Sequence, residues 1–200
     1  MADASPAQGA RPAAEFSVWR PFLARAVISG VFGLVTIFWR EPTTAVLAVA
    51  GGLYLLFLGA AHLWTHRVVR MRPGALQFVG GTFLGIAGVA TLILVEDGVF
   101  AYAGAAALVV AGCADLVRGL AVRGHAAARD LVTAGVVTAA TGVLLPFFER
   151  LGAHALLGVT GGGALITAVL LGIAALSLRH DSALSAPVSP GAAQRENPVN

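Results

Sequence analysis

The chain has 200 residues, no lysine and one cysteine, and only 12% of its residues are charged. An ordinary soluble domain is about 25% charged. Each scarcity excludes something. Cys113 alone cannot form an intrachain disulfide. It lies in an apolar run, which predicts a small buried hydrophobe; a reactive thiol needs exposure and an electropositive setting. Gly80-Gly81 and Gly161-Gly162-Gly163 are not phosphate loops, because they sit in apolar stretches and lack the preceding strand and the lysine such loops need. No alternating period is present, so strands, and with them a membrane barrel, are excluded. A net charge of +3 and a pI near 10.0 could suggest nucleic acid. The 13 basic residues, all arginine, lie between apolar runs rather than in one patch, which excludes that partner. No nucleophile–base pair at a recognisable spacing occurs. The missing lysine and abundant Ala and Gly indicate a GC-rich bacterial source.

What is present is apolar. Hydrophobic residues are 58% of the chain and its mean hydropathy is +0.83. A small soluble fold leaves too much surface exposed to hide that content. Six apolar segments are visible, at Phe22–Trp39, Thr43–Trp64, Gly74–Val95, Val99–Gly119, Leu131–Phe148 and Ala153–Leu178. Each has about 18 residues or more, enough to cross a hydrocarbon core of about 30 Å as a helix. The sequence therefore predicts an all-α polytopic bundle of six transmembrane helices over residues 16–180. Residues 1–15 and 181–200, rich in Ala, Pro, Ser and charge, read as disordered tails. Trp39-Arg40-Glu41-Pro42 follows the first segment, which is not a small-residue cleavage site, so that segment is expected to be retained.

Arginine sets the orientation. With the N-terminus inside, Arg40 and Arg150 are outside and the other eleven are cytoplasmic. The positive-inside rule then puts both termini in the cytoplasm and the chain in a bacterial inner membrane. Trp19 and Trp64 should mark the inner interface and Trp39 the outer one. Thr43, Asp97 and Asp130 are placed to cap helix starts, and Pro146 should kink or end the fifth helix.

Three hairpins, at roughly 20–66, 73–120 and 130–179, read as copies of one unit with a period of about 53–56 residues. Gly33, Gly88 and Gly142 correspond, followed by Glu41, Glu96 and Glu149. Thr36 and Thr91 correspond, with Leu145 in the third copy. Gly59, Gly112 and Ala168 correspond, each followed by an arginine (Arg70, Arg123, Arg179). The 25 glycines are expected to line close helix contacts. Ser29/Gly33, Gly81/Gly85 and Gly158/Gly162 have the four-residue spacing that packs helices within the chain, or a second copy against it.

These hairpins resemble the HdeD family of bacterial six-helix membrane proteins. The resemblance is carried by the Gly-rich odd helices, the outer turn Phe38-Trp39-Arg40-Glu41-Pro42, and the run Tyr54-Leu-Leu-Phe-Leu-Gly59 with its later inner arginine. It covers roughly residues 20–180. The family's Trp-Pro-Gly turn is altered in all three copies, as in Val95-Glu-Asp-Gly98, which marks a distant member. The resemblance implies acid or general stress resistance in the inner membrane, with no established enzymatic activity and no catalytic residue to carry over.

Ionisable groups inside a bilayer are costly and so are candidates for function. Arg25 either snorkels to the inner headgroups or pairs with Asp115 across the bundle. Asp115 either pairs with Arg118, three residues on, or serves as a functional carboxylate facing an inner cavity. His62 and His66, four apart, share a helix face; they could hold a metal, sense pH or sit solvated at the interface. No Glu follows His62 as a zinc hydrolase would need, so no metal or cofactor is expected. Tyr54, mid-helix, needs a hydroxyl partner, which Thr36 or Thr91 could supply. The expected partner is the lipid bilayer, with a second copy or another membrane protein as a further one. Three functions are compatible: a non-enzymatic stress or structural protein, a small channel or transporter, and an intramembrane enzyme near His62, His66 and Asp115. The third copy lacks polar counterparts of His62 and Thr36, which weakens a symmetric transport path.

Overall fold

The computed structural model describes residues 19–68, 74–121 and 127–184. The predicted tail 1–15, most of the tail 181–200, Arg70 and Arg123 lie outside the described residues. All regular structure among the described residues is helical. The helices are α1 (Trp19–Phe38), α2 (Thr44–Val68), α3 (Gly74–Leu94), α4 (Asp97–Ala121), α5 (Ala127–Phe148) and α6 (Gly152–Leu184). Among the described residues five apolar stretches are long enough to cross a membrane, and the last, Ala128–His180, covers most of both α5 and α6. A 3-10 turn, Glu149–Leu151, breaks that stretch, and Gly152 follows it at φ +77°. Only glycine adopts that conformation without a Cβ penalty.

The ends of the helices follow local chemistry. Pro21 lies near the start of the described part of α1, where a missing N–H costs little. Thr43 caps α2: its Oγ1 accepts from the Val46 N–H at 3.3 Å. Thr43→Ala should cost about 1 kcal/mol of unfolding free energy in detergent titrations; no measurable loss would remove the cap from the account. Asp97 and Asp130 are not caps. Glu96 occupies the N-cap before Asp97 without a side-chain bond, and Asp130 lies inside the first turn of α5. Pro146 does not stop α5 at once; the helix runs two residues further, to Phe148. At the other extreme α6 continues past Leu178 to Leu184. No Gly or Pro interrupts that stretch before Pro187, so nothing ends the helix where charge returns. Its 33 residues span about 50 Å.

Each helix packs on the next, and α6 returns to α1, closing a ring. The most extensive seams are α2–α3, α4–α5 and α1–α6. Glycine sets their close approach. A Cβ on Gly33 would meet Leu165 and the Gly161 carbonyl; on Gly88, the Gly52 carbonyl; on Gly142, the Ala105 carbonyl. Gly81 likewise packs against Gly59 and Leu63. By contrast, Gly85, Gly158 and Gly162 have open space where a Cβ would go, so equal spacing did not mean equal packing.

One turn of α4, Phe100–Gly104, is a π-helix. The widened turn carries Phe100 into the core, where its ring fills the space left by Gly51. The main core also contains Phe32, Leu47, Leu55, Leu58, Leu84, Leu108, Leu145 and Leu156. A second cluster, Phe22, Ala26, Leu131, Ala134, Leu171 and Ala175, lies toward the Trp19 end.

The outside of the ring is as apolar as the inside. Val31, Phe57, Ile93, Phe147 and Val169 are all more than half exposed. Cys113 is also exposed rather than buried, because it faces away from the buried stripe of Ala111, Gly112, Ala114 and Asp115. Charged and polar side chains, in turn, are found in the core. An apolar exterior around buried polar groups, on helices of membrane-crossing length, is compatible with an integral membrane protein.

Candidate functional site

The candidate site lies about two turns in from the Trp19 end of the ring, where four helices each contribute one polar side chain. In α1, Phe22, Arg25, Ser29 and Phe32 recur every three or four residues, and all face inward. In α2 the same spacing places His62 on the buried stripe of Leu55, Leu58 and Gly59. Gln77 enters from the first turn of α3. Asp115 completes the buried stripe of α4.

Arg25 is 1% exposed and Asp115 0%, so Arg25 does not snorkel. Its guanidinium grips the carboxylate with both terminal nitrogens: Nη1 donates to Oδ1 at 3.1 Å and Nη2 to Oδ2. This two-pronged geometry suits a planar guanidinium. Gln77 Nε2 donates to the same Oδ1 at 3.1 Å. Asp115 therefore accepts three bonds from two other helices. The intrahelical pair with Arg118 does not form. The Arg118 guanidinium lies 5.3 Å from the centre of the Phe22 ring, in cation–π contact.

His62 Nδ1 lies 3.0 Å from the Leu58 carbonyl, an acceptor, so Nδ1 carries the proton. Nε2 then faces Asp115 Oδ2 at 3.6 Å, too far for a hydrogen bond. A second proton or a water would be needed to join them. Three buried polar atoms around the pair have no partner: Arg25 Nε, His62 Nε2 and Gln77 Oε1.

The chain matches no protein-family model, no curated protein and no solved structure.

The structure unites Arg25, His62 and Asp115, leaves His66 apart from them, and sets Tyr54 at their border through Ser29. His66, one turn beyond His62, is half-buried with its ring tilted against Phe78 at 5.8 Å. No group of three or more His, Cys, Asp or Glu that could hold a metal ion occurs among the described residues. Tyr54 does not bond Thr36 or Thr91. Those hydroxyls donate to the backbone of their own helices, Thr36 to Gly33 O and Thr91 to Ala87 O, both at 2.8 Å. The Tyr54 ring instead stacks on Phe32, with centroids 4.1 Å apart and planes 9° from parallel, and its hydroxyl faces Ser29.

Gln77 and Ser29 escaped the sequence reading. Gln77 carries no charge, and inspection for ionisable groups passes over it. The available signal was that it is the lone amide of its apolar segment. Ser29, four residues before Gly33, has the spacing of a small packing residue, and nothing else in the sequence marks it.

Proposed function

We propose that the chain is a six-pass, non-enzymatic integral protein of a bacterial inner membrane, built from three repeated hairpins with both termini cytoplasmic. We further place it among HdeD-like proteins that support acid or general stress resistance. The break at Glu149–Gly152 supports six passes by dividing one long apolar stretch into two helices of crossing length. Arg20, Arg67, Arg118, Arg129 and Arg179 lie toward the Trp19 end, and Arg40 and Arg150 at the other, which supports the orientation. The repeat is supported by the contacts of Gly33, Gly88 and Gly142, which are made at corresponding seams.

The non-enzymatic reading rests on one observation, the enclosure of the polar cluster. Arg25, His62, Gln77 and Asp115 are each at most 2% exposed. Toward the far end, Phe32, Leu55, Leu58, Leu108 and Leu145 close the core above them. A carboxylate whose bonds are made by its own chain, beneath an apolar plug, holds helices together.

In sealed proteoliposomes carrying a pH gradient, the protein should leave proton and solute flux at the level of empty vesicles. Reporter fusions after Arg40 and Arg150 should report outside, and fusions after Arg123 inside. Loss of the gene should lower survival of acid or general stress, restored by the intact chain. A second reading, a small proton or solute transporter, draws support from the three unpartnered polar atoms: water would satisfy each of them, and a proton would satisfy His62 Nε2. A pH-driven flux lost in Asp115→Asn would replace the first reading with the second.

A further inference from the structure

At the Trp19 end, the three extensive seams of the ring differ in one respect. The α2–α3 and α4–α5 seams are each bridged by the chain itself, through residues 69–73 and 122–126. The α1–α6 seam joins the two ends of the ring and has no connector. Here two guanidinium groups converge on one half-buried indole. The Arg20 Cζ lies 5.7 Å from the centre of the Trp19 ring, and the Arg179 Cζ, from α6, lies 5.5 Å from it. Both arginines are exposed, and no ion pair to a carboxylate forms for either among the residues whose side chains are described, 19–68, 75–121 and 128–180. One turn along α1, Arg118 lies over Phe22. Like charges held on one ring repel, and each contact with the indole offsets only part of that. An anion reaching both would offset the repulsion.

We infer that Arg20, Arg179 and Trp19 form a binding site for the phosphate of one anionic phospholipid, which fastens the unconnected α1–α6 seam at the inner membrane surface. This rests on the membrane reading proposed above. The chemistry is complementary: guanidinium forks bind phosphate oxygens bidentately, and an indole sits naturally at headgroup depth. The acyl chains would run along the exposed apolar flank of the same seam, past Val27 and Val31 on α1 and Ile173 and Leu176 on α6. A soluble phosphate ester shares the headgroup chemistry but gains nothing from that flank. The site therefore commits to the lipid.

The experiment uses the full chain in nanodiscs of phosphatidylcholine doped with phosphatidylglycerol, read by native mass spectrometry and thermal unfolding. One tightly held phosphatidylglycerol is expected, with a matching rise in the unfolding midpoint. Arg20→Gln and Arg179→Gln should each weaken that retention about fivefold, and together roughly thirtyfold. Arg67→Gln, at the same end and not on the Trp19 ring, should leave it unchanged. Arg179→Glu supplies a carboxylate in place of the phosphate. It should abolish lipid retention while keeping the midpoint in pure phosphatidylcholine at or above that of the parent chain. This guards against reading misfolding as loss of a site. Equal retention by the double variant and by Arg67→Gln would overturn the site. So would displacement of the lipid by millimolar glycerol phosphate, which would reassign it to a soluble anion. A chain that stays monodisperse in plain buffer would instead overturn the membrane reading itself.

Discussion

Asp115→Ala should destabilise the bundle by about 3–5 kcal/mol, among the largest effects available to a single substitution in this chain. The reason is what it leaves behind. Arg25 is 1% exposed and its guanidinium finds its acceptor on Asp115. Without the carboxylate, a full positive charge remains enclosed in the core, and Gln77 Nε2 also loses its acceptor. Arg25→Met leaves the opposite charge enclosed, relieved only by the Gln77 amide, and should cost a similar amount. The two losses share one cause and should not add. In a double-mutant cycle, Arg25→Met with Asp115→Leu should recover about 2–3 kcal/mol relative to the sum of the singles. Replacing a buried pair by apolar side chains is often nearly neutral in itself; here the double variant retains a deficit, because Gln77 and His62 keep their polar atoms without the carboxylate. The measurement is unfolding in mixed micelles titrated with a denaturing detergent, for all four chains. Additivity within about 0.5 kcal/mol would show that the pair contributes no mutual stabilisation.

The parts of this structure that sequence reveals are those governed by solvation. Long apolar runs mark helices of membrane-crossing length, so the all-helical class was legible. The helix ends were less so. Charge at Arg179 and Asp181 suggested a stop that the helix ignores, because charge ends a membrane span without breaking a backbone hydrogen bond. The site was half legible. Arg25, His62 and Asp115 are conspicuous because ionisable groups are scarce in these segments. Which of them meet depends on the rotation of each helix about its axis. Near-uniform hydrophobicity all round α2 and α5 hides that rotation. Arg118 sits three residues from Asp115 and was the nearer partner on one helix. The rotation of α4 puts Asp115 on the core stripe and leaves Arg118 at its margin, over Phe22. Tyr54 fell to the same kind of choice: a threonine hydroxyl in a helix already has an acceptor three or four residues back, Gly33 O for Thr36 and Ala87 O for Thr91.

Glycine shows that distinction most sharply, and it yields the second large effect. Gly112→Ala should cost about 1–3 kcal/mol or more, whereas Gly162→Ala should cost nothing. An added Cβ at Gly112 would lie 2.5 Å from the Ala139 nitrogen, 2.7 Å from the Gly135 carbonyl and 2.9 Å from the Ala139 Cα. All three are backbone atoms of α5, so no side chain can rotate aside. The whole α4–α5 seam must open. Opening it also disturbs Asp115, which lies three residues along the same buried stripe. The substitution should therefore lower the unfolding midpoint and loosen the grip of Arg25. Gly162 belongs to one of the four-residue pairs that the sequence marks for helix packing, yet no atom of another helix lies within 4 Å of its Cβ position. Alanine there should be neutral or slightly stabilising, since it favours the helix over glycine by up to about 1 kcal/mol. Unfolding midpoints for both variants, with particle size measured alongside, decide the matter. An indifferent Gly112→Ala would mean that the α4–α5 seam is looser than its backbone contacts imply. A costly Gly162→Ala accompanied by a smaller particle would instead place a second copy of the chain on the outer face of α6.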